Sequence, residues 1–540
     1  MTESPEDATF NGFAGVNDRW SDESMAAIER RHREIEAPLK ALRKIHRAKL
    51  TAADKLSYDL FRRNTEEMLE GTRFREELLP VSQLGGPQQS VAQILAIMPH
   101  DSAKELADIF SRLEKIPALI DQTMALMQEG LKQGVTPPKI TMRDVPDQIK
   151  NVLEEDPDKN PLLASLRKVK DEAVHIRAAE LLKHSLLPAF QRFRDFVKDT
   201  YLPNCRESIA WTALPNGADW YAYRVRTSTT TRLSPKEIHE IGLSEVKRIR
   251  GEMDAVMKST GFKGSFAEFK EYLRTDSKFF YTDAADLLTG YRDIAKRIDP
   301  QLIHLFGKLP RLTYGVLPVP SYAEKSQTTA YYEPGSPDSG RAGNFFANTY
   351  NLKSRPKWEM ESLTLHEAVP VHHLQIALAQ ELENVPEFRR FGFYTAFVEG
   401  WGIYAESLGG AIGLYEDPYS KFGQLTYEMW RAIRLVVDTG MHSLGWTREQ
   451  ALDFFKEYTG KSEHDITVEV DRYIVWSGQA LAYKIGQLKI TELRENAKKQ
   501  LGDKFDIRRF HDVLLGSGAV PLDTLEAMVT EWTSSQKKLR

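Results

Sequence analysis

The sequence predicts a mainly α protein with a small, interrupted β-sheet beside its most informative segment. Long amphipathic stretches at helical period fill the first two hundred residues, and a Pro-broken, strand-like region runs from Leu309 to Tyr350. The remainder is again mostly helical to the C-terminus.

Taken in order, Asp22 to Leu50 places Met25, Ile28, Ile35 and Leu39 on one helical face. Ser102 to Gly130 does the same with Leu106, Ile109, Leu113, Ile116 and Ile120, and Pro117 is expected to kink or divide it. Leu162 to Asp199 gives a third such stretch, with breakers at residues 84–87 and 136–138 between them. Composition shifts near Arg206, which predicts an N-terminal helical lobe (1–205) and a catalytic lobe (206–540) of one continuous fold. Residues 207–233 are rich in Thr, Tyr and Trp and predict short strands. Ser234-Pro235-Lys236-Glu237 opens a helix, with an N-cap Ser, a Pro in the first turn and a Glu three residues on. His239-Glu240, with no second histidine nearby, predicts ordinary helix surface. Pro318, Pro320 and Pro334 interrupt the strand-like region, and Arg341 to Asn348 reads as an edge strand able to bind an extended peptide.

The chain has 540 residues, ample for a large core without disulfides, and its 73 basic against 77 acidic residues leave a net charge of −4. That balance argues against nucleic acid and anionic membrane surfaces as partners. No apolar run approaches the ~20 residues needed to span a bilayer. The single Cys205 forbids an intrachain disulfide. The first ten residues have neither a basic nor an apolar leader segment. That text fits a cytoplasmic protein, and equally a periplasmic or secreted one whose leader has been removed.

Three of the 13 histidines fall within His366-Glu367-Ala-Val-Pro370-Val371-His372-His373, where chance would place about 0.2. Imidazoles beside a glutamate suit a zinc site, with Glu367 as general base and zinc lowering the pKa of bound water to roughly 7. The spacing differs from His-Glu-x-x-His, whose histidines share one face of a regular helix. On an ideal helix His373 would lie ~10 Å along the axis from His366, and His372 ~9 Å away and ~120° round. A straight helix cannot bring either beside His366. Pro370 removes a hydrogen bond to the His366 carbonyl, so an expanded, kinked turn is expected there. His372 needs the smaller correction and is the expected second ligand, with His373 as alternative or as a second-layer group. Glu399 and Glu406 lie seven apart on an otherwise apolar helix, where a carboxylate must be paired or metal-bound. Glu399 is the expected third ligand, and Glu406 is expected to orient a histidine.

These segments resemble a large bacterial family, the domain of unknown function 885. The resemblance rests on His366-Glu-Ala-Val-Pro-Val-His-His-Leu-Gln375, Glu399-Gly-Trp-Gly-Ile-Tyr-Ala-Glu406, Arg434-Leu-Val-Val-Asp-Thr-Gly-Met-His442 and Gly478-Gln-Ala-Leu-Ala-Tyr-Lys-Ile-Gly486. It spans nearly the whole chain, and the family looks distantly related to zinc peptidases of the thimet-oligopeptidase and Taq-carboxypeptidase type. It implies a large helical zinc-peptidase-like fold and a gluzincin arrangement of two His and one Glu. It also implies an oxyanion donor among His442, Tyr473 and Tyr483. Arg431, Arg434, Arg472 and Lys484, with Asn348, could hold a substrate carboxylate or backbone. Asp438 would support the site or pair with Arg434 one turn away. The sequence departs from the family at Val371, where Gly is usual, and a required positive φ would strain a valine.

The leading expectation is a zinc-dependent metallopeptidase with one Zn2+ per chain, cleaving short peptides as a carboxypeptidase or oligopeptidase. A zinc hydrolase of other amides or esters would share the same ligands, and a non-catalytic binding protein would have no use for Glu367. Serine-hydrolase, P-loop and dinucleotide signatures are absent. The sequence leaves a homodimer open.

Overall fold

A computed structural model describes residues 3–10, 12, 13, 15–320, 324, 328–336 and 340–538. The chain is mainly α with a three-stranded sheet. It divides into two compact units, one comprising residues up to His46 and Phe61–Trp220, the other Arg47–Leu60 and the chain from Tyr221 onward. Among the described residues no helix is long and apolar enough to cross a membrane.

Residues 22–50 do not form one rod: α1 (Met25–Glu34) and a shorter helix over Glu36–Leu42 belong to the first unit, and a 3-10 turn over Arg47–Lys49 to the second. The long helix α2 (Ala103–Gln133) starts at a Ser102–Glu105 capping box and stops at Gly134 in the left-handed conformation. Pro117 does not divide it. Ile109, Leu113, Ile116 and Ile120 are fully buried, so the packing of this face offsets the one hydrogen bond that Pro117 removes. Residues 161–168 form two 3-10 turns, and α segments alternate with π turns only from Glu172 to Tyr201, the second α segment holding Pro188 in its first turn.

Residues 207–233 correct the expectation of strands. The segment Gly217–Thr229 is a helix, α3, and its buried positions (Gly217, Trp220, Tyr221, Val225, Thr229) recur every three to four residues. Aromatic and Thr side chains favour strands only where a pleated surface receives them, and here the helical stripe wins. Helix α4 (Pro235–Ser259) begins with the expected Ser234–Glu237 capping box. His239 is not a surface residue. It is 9% exposed, its Nδ1 lies 2.9 Å from Thr439 Oγ1 and 3.1 Å from the Val436 carbonyl, and its ring meets Trp446 edge-on. Gly242 explains the proximity, since a Cβ there would sit 2.7 Å from Leu435 Cβ.

Helix α5 (Ala284–Ile298) precedes the sheet, whose strands are β1 (Tyr314–Pro318), β2 (Ala330–Glu333) and β3 (Gly343–Ala347). Their order is β1-β3-β2, with β1 parallel and β2 antiparallel to β3. The segment read as an edge strand is therefore central, and β1 and β2 form the edges. Phe345, fully buried, turns toward Tyr291 of α5.

The functional helices follow: α6 (Met360–Glu367), α7 (His372–Gln380), α8 (Thr395–Glu406), α9 (Pro418–Ser443), α10 (Glu463–Val475), α11 (Ala482–Leu501) and α12 (Ile507–Leu515). Helix α9 packs along α4, and α8 along α11. The α8–α11 crossing is close because Gly400 and Gly486 oppose each other: a Cβ on Gly400 would lie 2.5 Å from Gly486 Cα.

An ionic network centred on buried Lys484 and Glu428 crosslinks α4, α9 and α11. Lys484 is fully buried and donates to Glu428 (2.7 Å) and Gln487 (2.7 Å), with Glu245 at 2.9 Å; Arg248 also binds Glu428. Burial alone would raise the Glu428 carboxyl, but Lys484 and Arg248 outweigh it and hold it at about 2. Lys484 is therefore a structural cation and not the substrate clamp expected from sequence. A depressed carboxyl contributes stability above its unfolded value near 4.5, and loses it as pH falls toward 2. Glu428→Gln leaves buried Lys484 with Glu245 as its remaining carboxylate and is expected to cost about 1.5–3 kcal/mol at neutral pH. It should also flatten the decline in stability between pH 5 and 2, as read by denaturant unfolding at each pH.

Candidate metal centre

The chain between His366 and His372 breaks instead of bending. Helix α6 ends at Glu367, and Ala368 (φ −104°, ψ −106°) and Val371 (φ −96°, ψ −110°) flank a cis Val369–Pro370 peptide bond. A new helix then begins at His372. This replaces the single helix with an expanded turn that the spacing suggested. Two separate helices free the histidines from any common helical period. Val371 has a negative φ, so it does not adopt the left-handed conformation that would call for glycine.

The break brings the His366 and His372 rings to 4.7 Å between centroids, nearly perpendicular. Glu399 of α8 completes the group: one ligand atom from each of the three residues lies within 4.8 Å of the others. Among the described residues this is the one His, Cys, Asp and Glu cluster of that kind. Tetrahedral ligands with ~2.1 Å bonds stand ~3.4 Å apart, so atoms within 4.8 Å of one another would close by at most ~1.4 Å per pair around an ion, within reach of side-chain rotation.

The polar contacts fit a cation. His366 Nδ1–H donates to Glu406 Oε1 at 2.8 Å, which turns the Nε2 lone pair toward Glu399 Oε2, 3.8 Å away. Two lone-pair-bearing atoms thus face each other, and Glu399 Oε2 is buried without a hydrogen-bond partner. Leaving a buried carboxylate oxygen unsatisfied is unfavourable, and a dication is the group that would satisfy it. Burial, and next the neighbouring His366, lower the His372 pKa, which keeps the imidazole neutral as a ligand requires. Glu406 is itself fixed by Ser362 Oγ–H at 2.7 Å, with Arg431 Nη2 3.7 Å away.

Glu367 lies beside this group, and burial pushes its carboxyl up to about 7 against the pull of His372. Glu367, His372, Glu399 and Tyr483 all retain partial solvent access. Tyr483 is placed by the glycine crossing of α8 and α11, and burial, then the Glu399 charge, raise its phenol. The Arg434 guanidinium stands 4.5 Å from its ring.

The structure does not bring the other expected residues to the cluster. His373 is bonded elsewhere, its Nδ1 accepting from Tyr332 O–H (2.9 Å) and its Nε2–H donating to the Leu312 carbonyl (2.9 Å). His442 Nε2–H donates to the Tyr473 carbonyl at 2.9 Å, and its ring packs on Tyr221, so that proton is not free for an oxyanion. Tyr473 O–H is likewise committed to Glu469, while accepting from Arg434 Nε (2.8 Å) and Trp430 Nε1 (3.1 Å).

Arg434 and Arg472 both grip Glu469, which replaces Asp438 as the expected partner of Arg434. Asp438 instead accepts from Tyr221 O–H (2.6 Å) and the Gly478 N–H, and burial raises its carboxyl to about 7 despite those donors. Arg431 Nη1 donates to the Tyr427 carbonyl while Nη2 backs Glu406, a counter-ion role rather than a substrate contact. Asn348 donates to the carbonyls of Glu324 and Thr328 and accepts from Tyr350 N–H, pinning a loop.

Sequence reasoning missed Ser362 and Glu469. Both carried a signal: Ser362 stands one turn before His366, and Glu469 precedes Arg472 by three residues. It also missed Gly402, where a Cβ would lie 2.9 Å from His366 Cε1 and 3.3 Å from Val371 Cγ1. Alanine is the better helix former by about 1 kcal/mol. Gly402→Ala should nonetheless displace the buried imidazole, and overpacking of about 1–3 kcal/mol is expected to offset or exceed that gain in the metal-free fold. Zinc affinity is expected to fall ~10–100-fold, measured by competition with a chromophoric chelator.

Comparison with known proteins places these residues in context. A crystal structure of a "putative lipoprotein" from Colwellia psychrerythraea matches with a TM-score of 0.93 and 28% identity, covering 98% of this chain and 96% of that one. A "putative lipoprotein of unknown function" from Shewanella oneidensis shares the fold, with a TM-score of 0.76 at 17% identity and the same coverage. No curated protein matches the sequence. The family model described as "Bacterial protein of unknown function (DUF885)" matches residues 5–529, and the chain belongs to that family.

Proposed function

We propose that the chain is a metal-dependent hydrolase, with zinc the best-suited cation, cleaving peptide bonds of short peptides. One observation carries this reading: His366, His372 and Glu399 converge on a point where a buried carboxylate oxygen has no partner, with Glu367 at their side. The donor set supports it, since two His and one Glu form one of the ligand sets that catalytic zinc sites use. Residues His366, His372 and Glu399 would hold the ion, which when bound supplies Lewis acidity and acidifies water near neutral pH.

The chain's own groups then have distinct tasks. Glu367 accepts the proton of the attacking water and returns it to the leaving amine. Tyr483, near Glu399, has its oxygen accepting from Gln479, which leaves its O–H to donate to the developing oxyanion. Glu406 holds the His366 ring in its ligating tautomer. An extended peptide would add to β2, the sheet edge whose Tyr332 is tied to His373 next to the cluster.

Because Arg434 and Arg472 are engaged by Glu469, free-carboxylate recognition has less support than backbone recognition. An oligopeptidase is therefore favoured over a carboxypeptidase. Glu367→Gln is expected to retain about one zinc per chain while turnover falls ~100- to 10,000-fold. A panel of blocked and free-terminus peptides, with ester and non-peptide amide controls, reads the substrate class. Turnover surviving in the Gln variant would contradict the mechanism, and zinc-loaded protein inert on every peptide but active on another amide would redirect the substrate assignment.

A further inference from the structure

Trp401 lies two residues beyond Glu399 on α8 and is fully buried. Its indole Nε1–H donates to the carbonyl of Pro370 at 3.0 Å. That carbonyl belongs to the four-residue break between α6 and α7, the segment that decides where His372 sits relative to His366. The indole is itself held on several sides. Its ring meets Phe306 at 6.0 Å, Tyr404 at 5.6 Å and His511 edge-on at 5.3 Å. His511 is locked in turn, its Nδ1–H donating to the Leu305 carbonyl (2.8 Å) and its Nε2 accepting from Tyr404 O–H (2.9 Å).

A broken helix poses a specific problem for a metal site. Two imidazoles must be held against a carboxylate from another helix, yet the break between them is spanned by a single backbone hydrogen bond, His373 N–H to the Ala368 carbonyl (3.1 Å), which leaves the Pro370 carbonyl to be fixed from outside. The same helix that carries Glu399 supplies the restraint. We propose that Trp401 is the positioning residue of the metal centre. It ties the Pro370 carbonyl to α8, fixes the separation of His366 and His372 from Glu399, and thereby sets metal affinity. The inference rests on the metal-site reading above and goes beyond it in assigning the motif's tryptophan a task distinct from packing.

Trp401→Phe keeps an aromatic ring in the pocket and removes the N–H donor. Zinc affinity, measured by competition with a chromophoric chelator, is expected to weaken ~10–100-fold, the range seen when groups supporting metal ligands are lost. The thermal midpoint of the metal-free variant should stay within a few degrees of the wild type. Affinity unchanged in the variant would overturn the proposal, as would affinity and metal-free stability falling in parallel, because a purely packing role predicts one or the other. Wild-type protein that takes up no zinc would instead overturn the metal-site reading, and this inference with it.

Should Trp401→Phe fail to fold, the wild type supplies a second readout by NMR of indole-15N-labelled tryptophan. The Trp401 N–H is expected to exchange slowly and to shift on addition of zinc. Fast exchange, or a resonance unmoved by saturating zinc, overturns the proposal.

Discussion

Helix α8 is almost wholly buried and apolar, yet it carries two carboxylates on one face, and the account turns on how these are compensated. Glu406 is satisfied by the chain itself, through the His366 imidazole, Ser362 and the nearby Arg431. Glu399 is not, because the atom facing it is the other nitrogen of that same imidazole. One hydrogen bond, His366 to Glu406, thus fixes which nitrogen keeps its proton and turns a lone pair toward an unsatisfied oxygen. A low-dielectric surrounding makes both halves of that arrangement stronger.

The backbone then works around this pair. A break at Pro370 lets His372 approach from a second helix, and small residues on α8 admit its neighbours. Gly402 leaves room for the His366 ring, and Gly400 with Gly486 lets α11 come near enough to set Tyr483 beside Glu399. The Glu399–Glu406 motif is therefore one surface with several tasks: ligand, helix crossing, imidazole pocket and orienting carboxylate. Behind it, the buried Lys484–Glu428 pair, flanked by half-buried Glu245 and exposed Arg248, joins the supporting helices.

Much of this was legible in the chain. Ser234-Pro-Lys-Glu announced a helix start because capping is local chemistry, and the geometry of an ideal helix required a distortion between His366 and His372. Glu399 and Glu406 stood out because buried carboxylates are costly. What stayed hidden was set by distant partners. The Thr-, Tyr- and Trp-rich stretch 207–233 has the composition of strands, yet its helix Gly217–Thr229 buries positions every three to four residues. Strand order, which makes β3 central, has no local signature. His442, Tyr473, Arg434 and Arg472 had the chemistry of catalytic or substrate groups, but Glu469 and main-chain carbonyls claimed them, and His239 was drawn inward by Gly242 on the facing side of α4.

X-ray absorption at the zinc edge, on the zinc-loaded chain, tests the central claim most directly. The account predicts nitrogen and oxygen neighbours at ~2.0–2.2 Å with outer-shell scattering from two imidazoles, reduced to one in His372→Ala and still two in His373→Ala. A spectrum unaffected by loss of His372, or a chain that binds no zinc at all, would contradict it.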